Sequence, residues 1–343
     1  NSEGLHTNAV YGFLNILFKI LDEEQPDYLT VAFDVHAPTF RHKMYDAYKG
    51  TRKPMAEELR QQVPLMKEML TAMGVTIVEK EGYEADDLLG TIAKQSEAQG
   101  LEVSIVSGDR DLLQLASDHI KIRIPKTKRT GTEIEDYLAK DVVEKYQVTP
   151  LQFIDVKALM GDSADNIPGV PGIGEKTATA LIVSYGSIEN AHDHLEEIKP
   201  NRAKQNLSEH YDMAQMSKEL ATIEIHAPIE YSLEDAKLGN LFTEEAYLLC
   251  KRLEFKNILP RFDIDAPKNL AEEHFTFVTD KKQISDIFKK AKKAGHIGCC
   301  LLPGEGIITE QLSLFEQPKE QQVIEGMSIA FSEEDIYYLS AGT

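Results

Sequence analysis

Apolar residues along this chain change period, and the changes divide it. Between Tyr28 and Arg123, short β-branched runs at Leu29–Phe33, Val75–Val78, Val103–Val106 and Ile120–Ile124 alternate with longer stretches of helical spacing. Strands separated by helices predict a parallel α/β sheet. From Thr149 to about Phe262 the strand signal fades and helical stretches dominate, punctuated by Gly-Pro turns over Ile167–Gly174. Asp263 to Asn269 reads as a linker. Beyond it, Phe275–Val278, a helix over Gln283–Ala294 and strand-like runs at His296–Leu302, Gly326–Phe331 and Ile336–Leu339 predict the start of a second α/β module. The expected organisation is an α/β domain over 1–148, a helical subdomain over 149–262, a linker over 263–274 and a second module over 275–343. That last stretch, of about seventy residues ending on a strand-like run, is short for closing a core.

The ends of the predicted strands carry acids. Asp34 closes the first run, Asp109 and Asp111 follow the third, and Glu84, Asp86 and Asp87 occupy the loop and first helical turn after the second. Parallel sheets place their sites at these C-terminal strand ends. The segment Gly161-Asp162-Ser163-Ala164-Asp165-Asn166 repeats the pattern further along. Gathered carboxylates raise each other's pKa and repel, and a divalent cation between them removes that cost. The acids therefore predict one shared, oxygen-ligated metal centre. Acids in a first helical turn also complement the helix dipole, so one of Glu84, Asp86 and Asp87 has an ordinary capping reading.

Composition changes this picture in two places. The chain has 343 residues, 42% of them apolar, which is enough for real cores. No apolar run approaches membrane-spanning length and Asn1–Gly4 lacks a signal pattern, so a cytoplasmic protein with no membrane partner is expected. Cys250 and the adjacent Cys299 and Cys300 fit neither a disulfide framework nor a zinc spacing. A net charge of −20 argues at first against a polyanionic partner. Basic residues are nevertheless concentrated locally, at Arg41, Lys43, Lys49, Arg52 and Lys53, and again at Lys121, Arg123, Lys126, Lys128 and Arg129. Each cluster taken alone reads as solvated surface.

The glycine-rich stretch Gly169-Val170-Pro171-Gly172-Ile173-Gly174-Glu175-Lys176-Thr177 fails two nucleotide-binding patterns. Glu175 interrupts the contiguous Gly-Lys-Thr of a phosphate loop, and Thr177 stands at the last glycine of the dinucleotide fingerprint. What remains is a tight hairpin between two helices. Its exposed amides can hold a nucleic-acid phosphate irrespective of sequence, though a purely structural turn is the alternative.

Tyr48-Lys49-Gly50 with Arg52, Glu84-Ala85-Asp86-Asp87, Ser107-Gly108-Asp109-Arg110-Asp111-Leu112, and Gly161-Asp162 through Lys176-Thr177-Ala178 together resemble the flap endonuclease family, in particular its 5′-nuclease domains of the bacterial DNA polymerase I type. The likeness covers roughly Gly4 to Phe262 in order and spacing. It implies a PIN/FEN-like α/β nuclease domain with a helical arch and a helix-hairpin-helix subdomain. It also implies a structure-specific nuclease that removes 5′ flaps and RNA primers with two divalent ions, Mg²⁺ or Mn²⁺. Asp34, Glu84, Asp86 and Asp87 would surround the first ion, and Asp109, Asp111, Asp162 and Asp165 the second. Hard oxygen ligands suit such ions.

Lys49 and Arg52 resemble the cations that the family brings over the scissile phosphate, and Tyr48 the ring that stacks on the terminal base. Half-buried packing is the alternative for Tyr48. Arg41 and Lys53 would line the arch, while Gly172, Gly174, Lys176 and Thr177 would hold duplex phosphates. The implied partners are flapped, nicked or primer-bearing DNA and an RNA primer, bound by a monomer.

The chain departs from the family in two respects. Family members begin with a strand carrying an Asp ligand, and this sequence starts after it, which implies a fragment. Residues from Phe275 onward resemble the start of a 3′-5′ proofreading domain, whose chemistry needs Asp-x-Glu on its first long strand. Ile297-Gly298-Cys299-Cys300-Leu301-Leu302 contains no carboxylate, so a degenerate module is expected, with Cys299 and Cys300 as small core residues. The rivals are a catalytically crippled DNA-junction binder and a PIN-type ribonuclease. The run of acids in register tells against the first, and the arch basics and hairpin against the second.

Overall fold

The computed structural model describes residues 4–128, 131–262, 275–294, 296–310, 319–332 and 335–340. The expected linker over 263–274 and the basic Arg129 lie outside the described residues. The chain forms two compact units, Asn1–Phe262 and Asp263–Thr343.

The first unit opens with helix α1 (Asn8–Glu24), which buries Val10, Leu14, Leu17, Phe18 and Leu21, the spacing of one helical face. It stops at Gln25, whose left-handed backbone lets its amide close on the Leu21 carbonyl. Strand β1 (Thr30–Ala32) leads to α2 (Phe40–Met44), α3 (Glu57–Arg60) and α4 (Gln62–Ala72), then β2 (Thr76–Val78) and α5 (Ala85–Ala98). Strand β3 (Val103–Val106) is followed by a 3₁₀ turn over Arg110–Leu115, β4 (Ile120–Lys128) and β5 (Gly131–Tyr137). Helices α6 (Ala139–Tyr146), α7 (Pro150–Met160), α8 (Glu175–Tyr185), α9 (Ile188–Asp193), α10 (Asn201–Glu209), α11 (Tyr211–Ala221) and α12 (Glu244–Arg252) complete the unit.

The α/β class and the parallel pairing hold, since β1 pairs with β2 and β3 with β4 in parallel register. The strands fall into two hydrogen-bonded groups, β1-β2 and β3-β4-β5, and no described strand joins them. Strand β5 was not anticipated. It pairs antiparallel with β4, and its acids, with those of α1, pair with Lys121, Arg123 and Lys126 of the second basic cluster. Lys121 reaches Glu24 at 2.8 Å, Arg123 reaches Glu23 at 2.7 Å and Asp136 at 2.8 Å, and Lys126 pairs with Glu135.

One core links the sheet to the helices. Ile105, Leu112, Leu113, Ile120 and Ile122 pack with Phe153, Leu159, Ile182, Ile188 and Leu207 in a single cluster. Thr149 and Gln152 cap the start of α7 reciprocally, with Pro150 in its first turn, where its missing N–H costs nothing. The helix ends at Gly161, where φ is +73°.

Beyond α7 the chain doubles back tightly, with the amides and carbonyls of Asp162 and Ile167 exchanging bonds of 2.9 and 2.8 Å. A Cβ on Gly169 would lie 2.4 Å from the Gly161 nitrogen, so backbone passes against backbone here. This doubling sets Asp162 against Lys157 and Asp165 against Arg52, and the Val170 amide of the glycine hairpin donates to the Leu159 carbonyl of α7 at 2.8 Å.

The second unit contains β6 (Phe275–Val278), α13 (Lys281–Ala291), β7 (Gly298–Glu310), β8 (Lys319–Ser332) and β9 (Asp335–Ser340). Its sheet runs β6-β9-β8-β7, with β6 and β9 parallel and the other pairs antiparallel. Val278, Ile287, Ile329 and Leu339 form its core. Cys299 and Cys300 are exposed on β7, which corrects their expected place in a core. Among the described strands the segment Gly298–Leu302 pairs with β8 alone, so β7 stands at the edge of that order.

Candidate metal centre and nucleic-acid interface

The acids arrive at one end of the first unit from separate elements. Asp34 follows β1, and its carboxylate accepts the Ala85 amide at 2.8 Å, which ties it to the start of α5. Glu84 is the residue before α5 and Asp86 lies in its first turn. Asp109, after β3, accepts the Asp111 amide at 2.9 Å and so starts the 3₁₀ turn.

Asp86 is pushed up to about 7 by burial, with Asp109, Asp34 and Glu84 adding repulsion and Lys49 opposing them. Asp111 is pushed up to about 6, burial and the charges of Asp109 and Asp162 outweighing a nearby Lys157. Asp109 acts on both groups and so links the two halves of the site.

Cations occupy the spaces between these acids. Lys49 Nζ lies 2.6 Å from Glu84 and 3.9 Å from Asp165. Arg52 pairs with Asp165 and donates to the Ala164 carbonyl at 3.3 Å. Lys157 Nζ lies 2.8 Å from Asp111 and also pairs with Asp162. Burial alone would raise Asp162, but Lys157 and the amides of Ala164 and Asp165 hold it below the usual carboxylate range.

Lys157 escaped the sequence reading. The available signal was a lysine set in the apolar run Phe153–Met160, a place that demands a partner.

The turn carrying Tyr48, Lys49 and Arg52 is docked on the loop carrying Asp165. The Lys49 amide donates to the Asp165 carbonyl at 2.8 Å, and the Asn166 side chain donates to the Ala47 carbonyl at 2.6 Å. Lys49 itself takes a left-handed backbone, φ 54°. Lys53 is exposed beside this turn. Gly172 turns the hairpin at φ +76°, Gly174 caps α8, and the exposed Lys176 and half-buried Thr177 follow in its first turn.

Three expectations need correction. Arg41 does not line an arch: it is 3% exposed, gripping Asp87 through both Nη atoms at 2.7 and 2.8 Å. Its guanidinium also donates to the Leu220 and Thr222 carbonyls. Asp87, fully buried, is the partner of that cation and accepts the Glu84 and Glu224 amides at 2.9 Å. With those contacts filled, Asp87 is a structural acid and not an open ligand.

Tyr48, at 3% exposure, has no free face for a base. Its hydroxyl donates towards Glu84 at 3.1 Å and Asp165 at 3.2 Å. The Asp165 carboxylate meets Tyr48, Lys49 and Arg52 beside Glu84, while its amide donates to the Asp162 carboxylate at 3.4 Å.

Among the described residues, no group of three or more Asp, Glu, His or Cys side chains converges as an ion's ligand set. The ammonium groups already described lie between the acids. The donor chemistry still fits a hard divalent cation, because every donor is oxygen and Asp86 and Asp111 are raised by burial with like charges beside them.

Comparison with known proteins places this arrangement. The fold is that of PIN-like 5′ nucleases: T5 5′-exonuclease, solved with zinc bound, superposes with a TM-score of 0.55 at 22% identity, covering 74% of this chain and 92% of that one. The catalytic core of Rad2, solved in complex with DNA substrate, gives 0.51 at 14% identity, covering 76% and 85%. Residues 1–147 match the 5′-3′ exonuclease N-terminal resolvase-like domain, and residues 148–244 the 5′-3′ exonuclease C-terminal SAM fold. The chain thus carries both domains of the 5′-3′ exonuclease family and is homologous to the N-terminal part of DNA polymerase I.

DNA polymerase I of Bacillus caldotenax is 47% identical over 279 residues, 80% of this chain and 32% of that protein. The Bacillus subtilis enzyme is 46% identical over 266 residues, 78% and 30%. The chain spans about a third of the length of these relatives. No helix among the described residues is long and apolar enough to cross a membrane.

Proposed function

We propose that the chain is a structure-specific 5′-3′ exonuclease and flap endonuclease, hydrolysing phosphodiesters near the junction of single- and double-stranded DNA. The observation that carries this reading is the gathering of Asp34, Glu84, Asp86 and Asp109 around the start of α5, where burial first and the three neighbouring acids next push Asp86 up to about 7. Asp34, Glu84, Asp86 and Asp109 would hold one divalent ion, and Asp109, Asp111 and Asp162 a second, with Mg²⁺ or Mn²⁺ the matching ions. Such ions, when bound, supply activation of a water and neutralisation of charge developing on phosphate.

The chain's own residues do the rest. Lys49 and Arg52, fixed by the turn that docks on Asp165, present positive charge where a phosphate approaches the acids. Tyr48 positions Glu84 and Asp165 through its hydroxyl. The Gly172–Thr177 hairpin presents helix-start amides and Lys176 to duplex phosphates, contacts that fix register without reading sequence.

DNA with a 5′ flap, a nick or an annealed RNA primer is the proposed partner of a monomer in replication and repair. Residues 275–343 are proposed to be the start of a 3′-5′ exonuclease-like module, degenerate because Ile297–Leu302 lacks the acids of that chemistry.

The test is a labelled 5′-flap substrate incubated with the chain in Mg²⁺ and in EDTA. Metal-dependent cleavage close to the junction is expected. Tight junction binding without any cut would favour the crippled binder instead.

A further inference from the structure

Lys157 is set apart from the other cations of the site by what it joins. Its side chain is 15% exposed, and it rises from α7, whose neighbouring Phe153, Val156 and Leu159 are packed in the core. The Lys157 carbonyl accepts the Gly161 amide at 2.9 Å, so the backbone beneath it is fixed by the turn that ends the helix. Its ammonium joins two carboxylates from different elements, Asp111 of the 3₁₀ turn at 2.8 Å and Asp162 of the doubling after α7. Each of these acids is itself less than one-fifth exposed, at 18% and 17%.

Resting on the two-ion reading above, we propose that Lys157 is a built-in counter-ion of the second half of the centre. It is a positioning residue that holds Asp111 and Asp162 together and yields to a divalent ion when one binds. Without some cation, two sheltered carboxylates from separate elements would push apart. An ammonium on a flexible four-carbon stem supplies the charge and can withdraw without moving α7. The same oxygens cannot serve Lys157 and an ion together, so Lys157 competes with the ion and sets the concentration at which that site fills. Lys49, which bridges Glu84 and Asp165 from a fixed left-handed turn, does not touch this pair.

The test is Mn²⁺ binding to the intact chain, counted by electron paramagnetic resonance of free Mn²⁺, with wild type, Lys157→Met, Lys157→Arg and Asp111→Asn compared. Removing one charge at contact distance is expected to tighten the weaker Mn²⁺ site about tenfold in Lys157→Met. Lys157→Arg, which keeps the charge, is expected to bind like wild type, and Asp111→Asn to lose that site. A Lys157→Met chain that binds Mn²⁺ no more tightly than wild type, while Asp111→Asn still loses a site, overturns the proposal and leaves the metal-centre reading standing. Indifference of Mn²⁺ binding to Asp111→Asn overturns both. Should Lys157→Met unfold in EDTA, recovery of its far-UV circular dichroism on adding Mn²⁺ supports the exchange, and failure to recover overturns it.

Discussion

Adjacent acids with opposite roles give the sharpest prediction. Asp87 holds the buried Arg41 guanidinium by two bonds of 2.7 and 2.8 Å, whereas Asp86, one residue earlier, faces Asp34, Glu84 and Asp109. Asp87→Asn removes the closest charge that compensates Arg41 and leaves the buried guanidinium with only Glu84 at 3.6 Å as a charged partner, which costs about 3 kcal/mol. Asp86→Asn removes a repulsive charge instead. The rise from 3.8 to about 7 corresponds, at pH 8 without metal, to a strain of about 4 kcal/mol that Asn relieves in whole or part.

Urea unfolding in EDTA at pH 8, followed by circular dichroism, separates the two. With a slope of about 3 kcal/mol/M, the midpoint falls by about 1 M in Asp87→Asn and stays or rises in Asp86→Asn. Calorimetric Mn²⁺ titration then reverses the ranking, Asp86→Asn losing affinity and Asp87→Asn, where folded, retaining it. Equal destabilisation by both variants, or loss of Mn²⁺ binding in Asp87→Asn alone, would refute the division of roles.

Between pH 4 and 7 the folded chain holds more protons at Asp86 and Asp111 than the unfolded chain does. Stability in EDTA therefore falls with rising pH across that window, relative to Asp86→Asn, and saturating Mg²⁺ flattens the difference; an opposite slope by urea titration counts against it. Gly169→Ala places a Cβ 2.4 Å from the Gly161 nitrogen at φ +62°, so its melting temperature drops and binding to nicked duplex weakens with it, whereas unchanged melting would mean the backbone approach is looser than described. Lys49→Met lowers single-turnover cleavage about 100-fold with an unchanged far-UV spectrum, and an unimpaired rate would remove Lys49 from the phosphate's path.

Much of this fold was legible because its signals are local. The β-branched runs became β1 to β4, and the Thr149-Pro150 and Gly161 punctuation marked both ends of α7. Acids at strand ends were legible for the same reason. What escaped was set by distant partners. Arg41 reads as one more base in an exposed cluster, yet Asp87, 46 positions away, and two carbonyls near α11 draw it inside. The Lys121–Lys126 run read as solvated surface charge, but Glu23, Glu24, Glu135 and Asp136 pair with it across strands that periodicity did not separate. Cys299 and Cys300 looked like core residues by type, and an edge strand exposes them.

The claim that Asp34, Glu84, Asp86, Asp109, Asp111 and Asp162 are a divalent metal centre is tested most directly by anomalous diffraction from crystals of the chain soaked in Mn²⁺. The account predicts a peak among Asp34, Glu84, Asp86 and Asp109, and a second beside Asp111 and Asp162 with the Lys157 ammonium displaced. Crystals saturated with Mn²⁺ that show no peak at either place, with Lys157 still joining its two acids, would contradict it.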